Sequence, residues 1–269
     1  MIGAREVFGS PQQQALLRRG QALYGLLSDR PEATYYGRTV GVLTPTDEGR
    51  ALLEKLIALQ GASNFFAVPN QDIAALKDEL DAAGYGTTHY ANWTGSETAL
   101  SAAEAILAKH RLPDDITVTI TDQATPKEGL EGLAQVSLGA GVLPVNGAVL
   151  RDALKPGLGV VATDADGRPV SCAAAASFAH AESPYARMAW WGMLATDPSR
   201  RGERLALILG AHAIREMHRR FGYSAFFTGV QPGNAPSEAV SAKCGLHQSD
   251  TAILTVADPA AVVGGQLTK

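Results

Sequence analysis

The stretch from Met188 to Phe221 constrains the fold most. Met188 to Thr196 is an apolar run of strand length, and Asp197-Pro198 stops it, because proline has no N–H to continue a ladder. The loop Ser199-Arg200-Arg201-Gly202 leads into a helix predicted from Glu203 to Arg220. On that helix Leu207, Ala211, Ile214, Met217 and Phe221 form one apolar stripe, and Glu203, Arg215, Glu216, Arg219 and Arg220 lie mostly elsewhere. A strand that hands over to a helix through a glycine loop exposes several main-chain N–H groups at the positive helix end, a ready site for phosphate or pyrophosphate. Arg200, Arg201 and Arg204 add charge at the same spot. A plain connection with solvated arginines would read the same way.

The flanking sequence keeps a strand–helix rhythm. After a helical lead-in over the first thirty or so residues, Thr39 to Thr44 and Asn64 to Val68 read as strands, and Asp47 to Leu59 and Gln71 to Ala83 as helices. Thr87 to Tyr90 reads as a short segment and Glu97 to His110 as a helix. Leu112-Pro113-Asp114-Asp115 breaks the pattern and sets the expected boundary between an N-terminal domain, 1–114, and a C-terminal domain, 115–269. Ile116 to Ile120 then alternates as a half-buried strand, and Pro126 to about Leu154 carries interrupted helical stretches. Leu158 to Thr163 and Pro169 to Phe178 flank Asp164-Ala165-Asp166-Gly167, a hairpin signal. Ser224 to Val230 and Thr251 to Val256 read as strands around a short helix from Ala235 to Lys243. No sequence repeat is detected.

Composition sets limits on function. The apolar fraction is 46% and the charged fraction 19%, as in ordinary globular chains, and the net charge of −4 gives no global field for nucleic acid. Cys172 and Cys244, the two cysteines, make no metal-ligand spacing and no disulfide framework, which suits a reducing compartment. The N-terminus lacks the apolar core of a signal peptide, and no apolar run reaches membrane-spanning length. A cytoplasmic protein without membrane or nucleic-acid partners and without a metal is expected.

A second segment, Asn234-Ala235-Pro236-Ser237-Glu238-Ala239-Val240-Ser241-Ala242-Lys243-Cys244-Gly245-Leu246, is a short helix with Asn234 as N-cap and Gly245 as C-cap. Capping alone accounts for those two residues. In order and spacing, however, the two segments together resemble the acyl-CoA-binding core of the GNAT N-acetyltransferase superfamily. Its pyrophosphate loop, Arg/Gln-x-x-Gly-x-Gly/Ala, is matched by Arg201, Gly202 and Ala206, with Arg204 where the family has its central glycine. Its second motif, Asn-x-x-Ala/Ser-x-x-Leu-Tyr-x-Lys-x-Gly-Phe, is matched in register by Asn234, Ser237, Val240, Lys243, Gly245 and Leu246.

The resemblance implies an α+β fold, a mixed α/β sandwich with a mostly antiparallel, splayed central sheet flanked by helices, preceded here by a smaller β-α-β-α domain. It implies an acyl-CoA-dependent N-acetyltransferase that moves an acetyl or other short acyl group to the amine of a small metabolite by direct attack in a ternary complex. The strands Met188–Thr196 and Ser224–Val230 would receive the pantetheine arm. Leu194 and Thr196 would bond it and the thioester, and Arg201, Gly202, Glu203, Arg204, Leu205, Ala206, Asn234 and Ser237 would complete the acetyl-CoA site. Ser241 stands at the family's tyrosine, the frequent acid for the departing thiolate. The strand holding Ala189-Trp190-Trp191-Gly192-Met193 lacks the acid that related enzymes often place there, so His180 and Glu182 are the nearest candidate bases. Trp190 and Trp191 alternate faces, so either one points to the core and the other to the acceptor cleft, or both are core. Tyr35, Tyr36, Phe65, Phe66, Tyr90 and Trp93 are candidate pocket walls from the N-terminal part, which either shapes the acceptor site or packs as a homodimer module. The missing tyrosine and strand acid leave a silent acyl-CoA-binding regulator, or different acyl-CoA chemistry, as the alternatives.

Overall fold

Ten strands form one sheet in a computed structural model that describes residues 6–261. In chain order they are β1 (Ala33–Thr34), β2 (Gly41–Val42), β3 (Ala62–Pro69), β4 (Gly86–Gly95), β5 (Thr117–Ile120), β6 (Gly157–Thr163), β7 (Pro169–Ser177), β8 (Met188–Thr196), β9 (Ala225–Val230) and β10 (His247–Ala257). Across the sheet the order is β1-β2-β3-β10-β4-β9-β8-β7-β6-β5. The helices are α1 (Pro11–Leu27), α2 (Asp47–Gln60), α3 (Ile73–Ala82), α4 (Glu97–Lys109), α5 (Lys127–Gly139), α6 (Gly147–Leu150), α7 (Leu205–Phe221) and α8 (Ala235–Lys243). Only β2–β3 and β8–β9 pair in parallel, so the expected mixed fold with a mostly antiparallel, splayed sheet is what the chain adopts. The predicted lead-in helix is Pro11–Leu27, and residues 1–5 lie outside the described part.

Two halves of the sheet share an architecture that no sequence repeat announces. The run β2-α2-β3-α3-β4 has the same element order as β8-α7-β9-α8-β10, and each begins with a parallel pair of strands. The last strands are exchanged. β10 pairs with β3 of the first half, β4 pairs with β9 of the second, and the two exchanged strands lie side by side at the centre. The division at 114/115 falls in the loop between α4 and β5, and the sheet runs on across it.

The exchange explains the largest difference from the sequence reading, in which only Thr87 to Tyr90 stood out. Strand β4 extends to Gly95, although Asn92 is a poor strand former, because it has a neighbour on each side. Asn92 is buried and its Nδ2 donates to Thr251 Oγ1 of β10 at 3.3 Å.

Both faces of the sheet are covered. On one, α4 and α7 pack over alternate residues of β6 to β9, including Ala173, Ala175, Ala189 and Trp191. On the other, α5 and the helices α1 to α3 share one apolar cluster with Cys172, Ala174, Ala176, Trp190 and Met193. Burial on both sides explains the apolar run in β7. Among the described residues, no helix is long and apolar enough to cross a membrane.

Candidate functional site

The parallel strands β8 and β9 form a fork. They pair only at Met188↔Ala225, Ala189↔Phe226 and Trp190↔Phe227, after which no partner fills the space between them. Beyond Trp190 the outer edge of β8 is taken by β7 and that of β9 by β4, so the inner-edge N–H and C=O groups await a strand-like occupant. A bulge in β8 deepens the opening. The β7–β8 register shifts between Ala195 and Gly192, and Met193 takes φ 54°. One inserted residue flips the alternation, which is why Trp190 and Met193 share a face although three residues apart. The resulting slot is walled by Gly192, Met193 and Leu194 on one side and by Thr228 to Gln231 on the other, with Ser237 and Ser241 of α8 closing it. Ser241 is almost fully buried.

At the far end of β8 the chain makes a single 3₁₀ turn, Pro198–Arg200, and enters α7. Arg204, the N-cap, sits in the left-handed region at φ 62°, ψ 17°, and no side chain caps the first turn. This is the region glycine favours, so Arg204 holds, at a cost of about 1–2 kcal/mol, the conformation a glycine takes freely. Gly202 is also at positive φ, 88°, and a Cβ there would meet no neighbour within 4 Å. The N–H groups of the first helical turn have no intrahelical acceptors, so the positive end of α7 is open.

The side chains around that end divide into two roles. Arg200 is committed to protein: it grips Asp115 through both terminal nitrogens, at 2.8 and 3.0 Å, and Glu203 through Nε at 2.8 Å. The Arg200 guanidinium beside Asp115 holds that carboxyl below the usual range. Arg201 and Arg204 are exposed. They border a cavity completed by Lys243 of α8 and by Lys109 and His110 at the end of α4, with no carboxylate among the described residues that line it.

The other end of the slot meets a cavity of different character, at the seam between the two halves. Tyr36, Phe66, Phe178, Trp190 and Phe227 supply aromatic walls, and Thr34, Asn64 and Thr255 supply polar groups. Tyr36 stacks on Trp190 with ring centroids 4.7 Å apart and planes 15° from parallel. Arg38, Tyr90, Trp190 and Gly229 line both this cavity and the slot.

The structure thus brings Leu194, Ser237, Ser241 and Trp190 together along the slot, and Thr196, Arg201, Gly202, Arg204, Leu205 and Ala206 around the loop cavity. Asn234 also borders the slot, and its side chain accepts from Ser237 N at 3.3 Å. The Glu203 carboxylate faces Arg200. Of the two tryptophans, Trp190 reaches the aromatic cavity; Trp191 is fully buried and donates from Nε1 to Gly210 O at 2.9 Å. His180 and Glu182 lie in the β7–β8 loop, where His180 Nδ1 accepts from Glu182 N at 3.1 Å, and neither lines the slot or either cavity. Both cysteines are buried, with thiols pushed up to about 12, so neither is a nucleophile. Of the suggested first-half aromatics, Tyr36, Phe66 and Tyr90 line the cavity, whereas Tyr35 and Phe65 are core and Trp93 packs under α4 and α7. Arg38, Lys109 and His110 were not foreseen. Arg38 is a single basic residue ahead of β2, and Lys109 and His110 belong to the basic run Lys109-His110-Arg111 that ends α4; only the pairing of distant segments shows what they face.

Residues 143–246 match the model of the acetyltransferase (GNAT) family. No curated protein matches the chain. Among solved structures it is similar to a GCN5-related N-acetyltransferase from Kribbella flavida, at 13% identity and TM-score 0.55, over 91% of this chain and 95% of that one. It is also similar to a GCN5-related N-acetyltransferase-like protein from Streptococcus suis, at 19% identity and TM-score 0.52, over 86% and 85%. A tandem GNAT protein from the clavulanic acid biosynthesis pathway aligns over 78% of this chain and 69% of its own, at 15% identity and TM-score 0.51. At these identities the structures speak for the fold, which is GNAT-like, and the match to the acetyltransferase (GNAT) family model lies in the C-terminal half of the chain.

Proposed function

We propose that the chain transfers an acetyl or other short acyl group from acyl-CoA to the amine of a small acceptor, by direct attack in a ternary complex. The observation that carries this reading is the arrangement along β8 of an uncapped helix end with unpaired basic side chains, a forked pair of strands, and an aromatic cavity that shares walls with the fork. Each part suits one part of the substrates. A diphosphate is an anion that helix N–H groups and Arg201, Arg204 and Lys243 can hold, with Lys109 and His110 within the same cavity for the remaining phosphate. The pantetheine arm carries amides able to complete the inner edges of β8 and β9. A main-chain amide at the bulge, aimed at the thioester oxygen, would stabilise the oxyanion where charge develops most.

The amine nitrogen attacks the thioester carbon, a C–N bond forms, and the C–S bond then breaks to release a thiolate, which takes up, directly or through water, the proton that the nitrogen loses on becoming an amide. With a parent thiol pKa of about 8.5, the thiolate leaves without a strong acid, and a hydrogen bond from Ser241 suffices. The attacking amine must be neutral. Among the described residues neither the slot nor the aromatic cavity has a carboxylate in its lining, so none of them favours the ammonium, and burial lowers an amine pKa. His180 or Glu182 could act as base only through water or by movement of their loop, and we assign neither the role.

Titration calorimetry with acetyl-CoA, paired with a thiol-release assay over an amine panel, tests the reading. Micromolar binding and acceptor-dependent thiol release are expected, with the acylated amine seen by mass spectrometry. The Ser241 substitution and the absence of a lining carboxylate favour a second reading, a silent acyl-CoA-binding regulator. Tight binding with no turnover across the panel would select it, and no binding at all would remove both.

A further inference from the structure

We propose that the acceptor carries a carboxylate as well as its amine, and that Arg38 is the residue that binds it. This rests on the transferase reading for the amine but not for the anion, which the cavity calls for on its own. Arg38 is the one charged residue among the described residues that line the aromatic cavity or the slot it joins. Its guanidinium lies over the Trp190 ring at 5.2 Å and the Tyr36 ring at 5.7 Å. Stacking on a ring face satisfies the cation's π surface but none of its in-plane donors. Nε is buried and has no hydrogen-bond partner. A buried guanidinium donor without an acceptor is costly, and a planar, bidentate anion is the ligand that matches its geometry.

The arginine is also held in place. Tyr36 is fixed by its stack on Trp190, and Val40 is anchored by Gln60, which accepts from Val40 N at 3.0 Å and donates to Val40 O at 2.6 Å. A pre-positioned donor loses little freedom on binding, which is what a recognition residue needs. Because Arg38 borders both spaces, a carboxylate seated on it leaves the rest of a small acceptor at the mouth of the slot, where the thioester would end.

Wild-type protein should be assayed with α-amino acids, each against its decarboxylated amine and its methyl ester, with acetyl-CoA as donor. The acids should lead in kcat/KM by about 10- to 100-fold, the worth of a charge-assisted pair. Arg38→Gln should erase that lead while changing the KM for acetyl-CoA little, and Arg38→Lys, a point charge, should restore only part of it. Acids, amines and esters turning over alike in the wild type would overturn the proposal, as would an equal loss on all three in Arg38→Gln. A preference for succinyl-CoA over acetyl-CoA that Arg38→Gln abolishes would also overturn it, by placing the carboxylate on the donor. Calorimetry with N-acetyl amino acids, in the absence of any CoA, separates the two readings. Binding that depends on Arg38, with no turnover of any acceptor, would sink the transferase and leave the anion site standing. Turnover without carboxylate preference would do the reverse.

Discussion

The N-termini of α2 and α7 occupy the same place in the two halves of the sheet, each following the first strand of a parallel pair, yet they are chemically opposite. At α2, Thr46 Oγ1 accepts from Gly49 N at 3.1 Å, and Asp47 and Glu48 fill the first turn. A Cβ on Gly49 would lie 2.3 Å from Thr44 O, so the connection is closed tight on itself. At α7 there is no side-chain cap, the loop swings out through two positive-φ residues, and the nearby side chains that are not already paired are basic. The first arrangement spends the helix dipole on its own carboxylates and hydroxyl; the second leaves it for a ligand. One architecture, twice built, therefore leaves one helix end open, and the first half contributes β4 to the centre of the sheet and Arg38 to the aromatic cavity.

The largest effect should come from closing the open end. Gly202→Glu puts a carboxylate where the diphosphate is expected, and acyl-CoA affinity should fall roughly 100-fold, since like charges about 4 Å apart at a protein surface repel by several kcal/mol. Gly202→Asn, which tolerates the left-handed region, should keep wild-type affinity in the same calorimetry. The wild type should bind one acyl-CoA per chain. A second equivalent of similar affinity would break the contrast between the two helix ends.

Next in size is the anchoring of α7. Glu216 is buried and accepts from Arg219 and Arg220, while Arg220 also donates to Thr121 O beyond β5. The Arg219 and Arg220 guanidinium groups hold the Glu216 carboxyl below its ordinary value. Glu216→Gln should cost about 2 kcal/mol in urea denaturation near neutral pH. A carboxyl lowered in the folded state stabilises above its unfolded pKa and loses that contribution as pH falls through the folded one. The gap between wild type and variant should thus be full above about pH 5 and shrink below it. A gap that stays constant down to pH 3 would show that the charge is not what holds the helix.

Smaller effects are expected at the caps. Thr46→Ala should lower stability by about 1 kcal/mol without touching acyl-CoA affinity. Arg204→Gly relieves the left-handed strain but loosens the unfolded chain, so a net gain near 0.5 kcal/mol is expected from a shifted urea midpoint. If Arg204→Gly instead weakened acyl-CoA binding strongly, the arginine side chain would be a ligand in its own right.

Much of the second half was legible because its signals are short-range. The stripe from Leu207 to Phe221 gave α7 to within two residues at its start and one at its end, and Asn234 gave the start of α8 through its cap. Asp197-Pro198 closed β8 where the strand ends. The loop cavity followed from the same local logic, since a helix start is read from adjacent residues. The aromatic cavity was legible only in part. Tyr36, Phe66 and Tyr90 were candidates by type, but Tyr35 and Phe65 were equally so and are core, because facing depends on which strands become neighbours. His180 and Glu182 were chosen by nearness in sequence, and the β7–β8 loop holds them apart from the slot.

Period, caps and breakers thus determined the helices, most of the strands, the open helix end and the family resemblance, because each is set within a turn or two of chain. The tertiary structure alone decided that β4 and β10 change places and that Arg38 lies over Trp190. Those facts depend on pairings between segments far apart in the chain, whose hydrogen bonds and buried faces are chosen together when the sheet forms, and no local pattern records them.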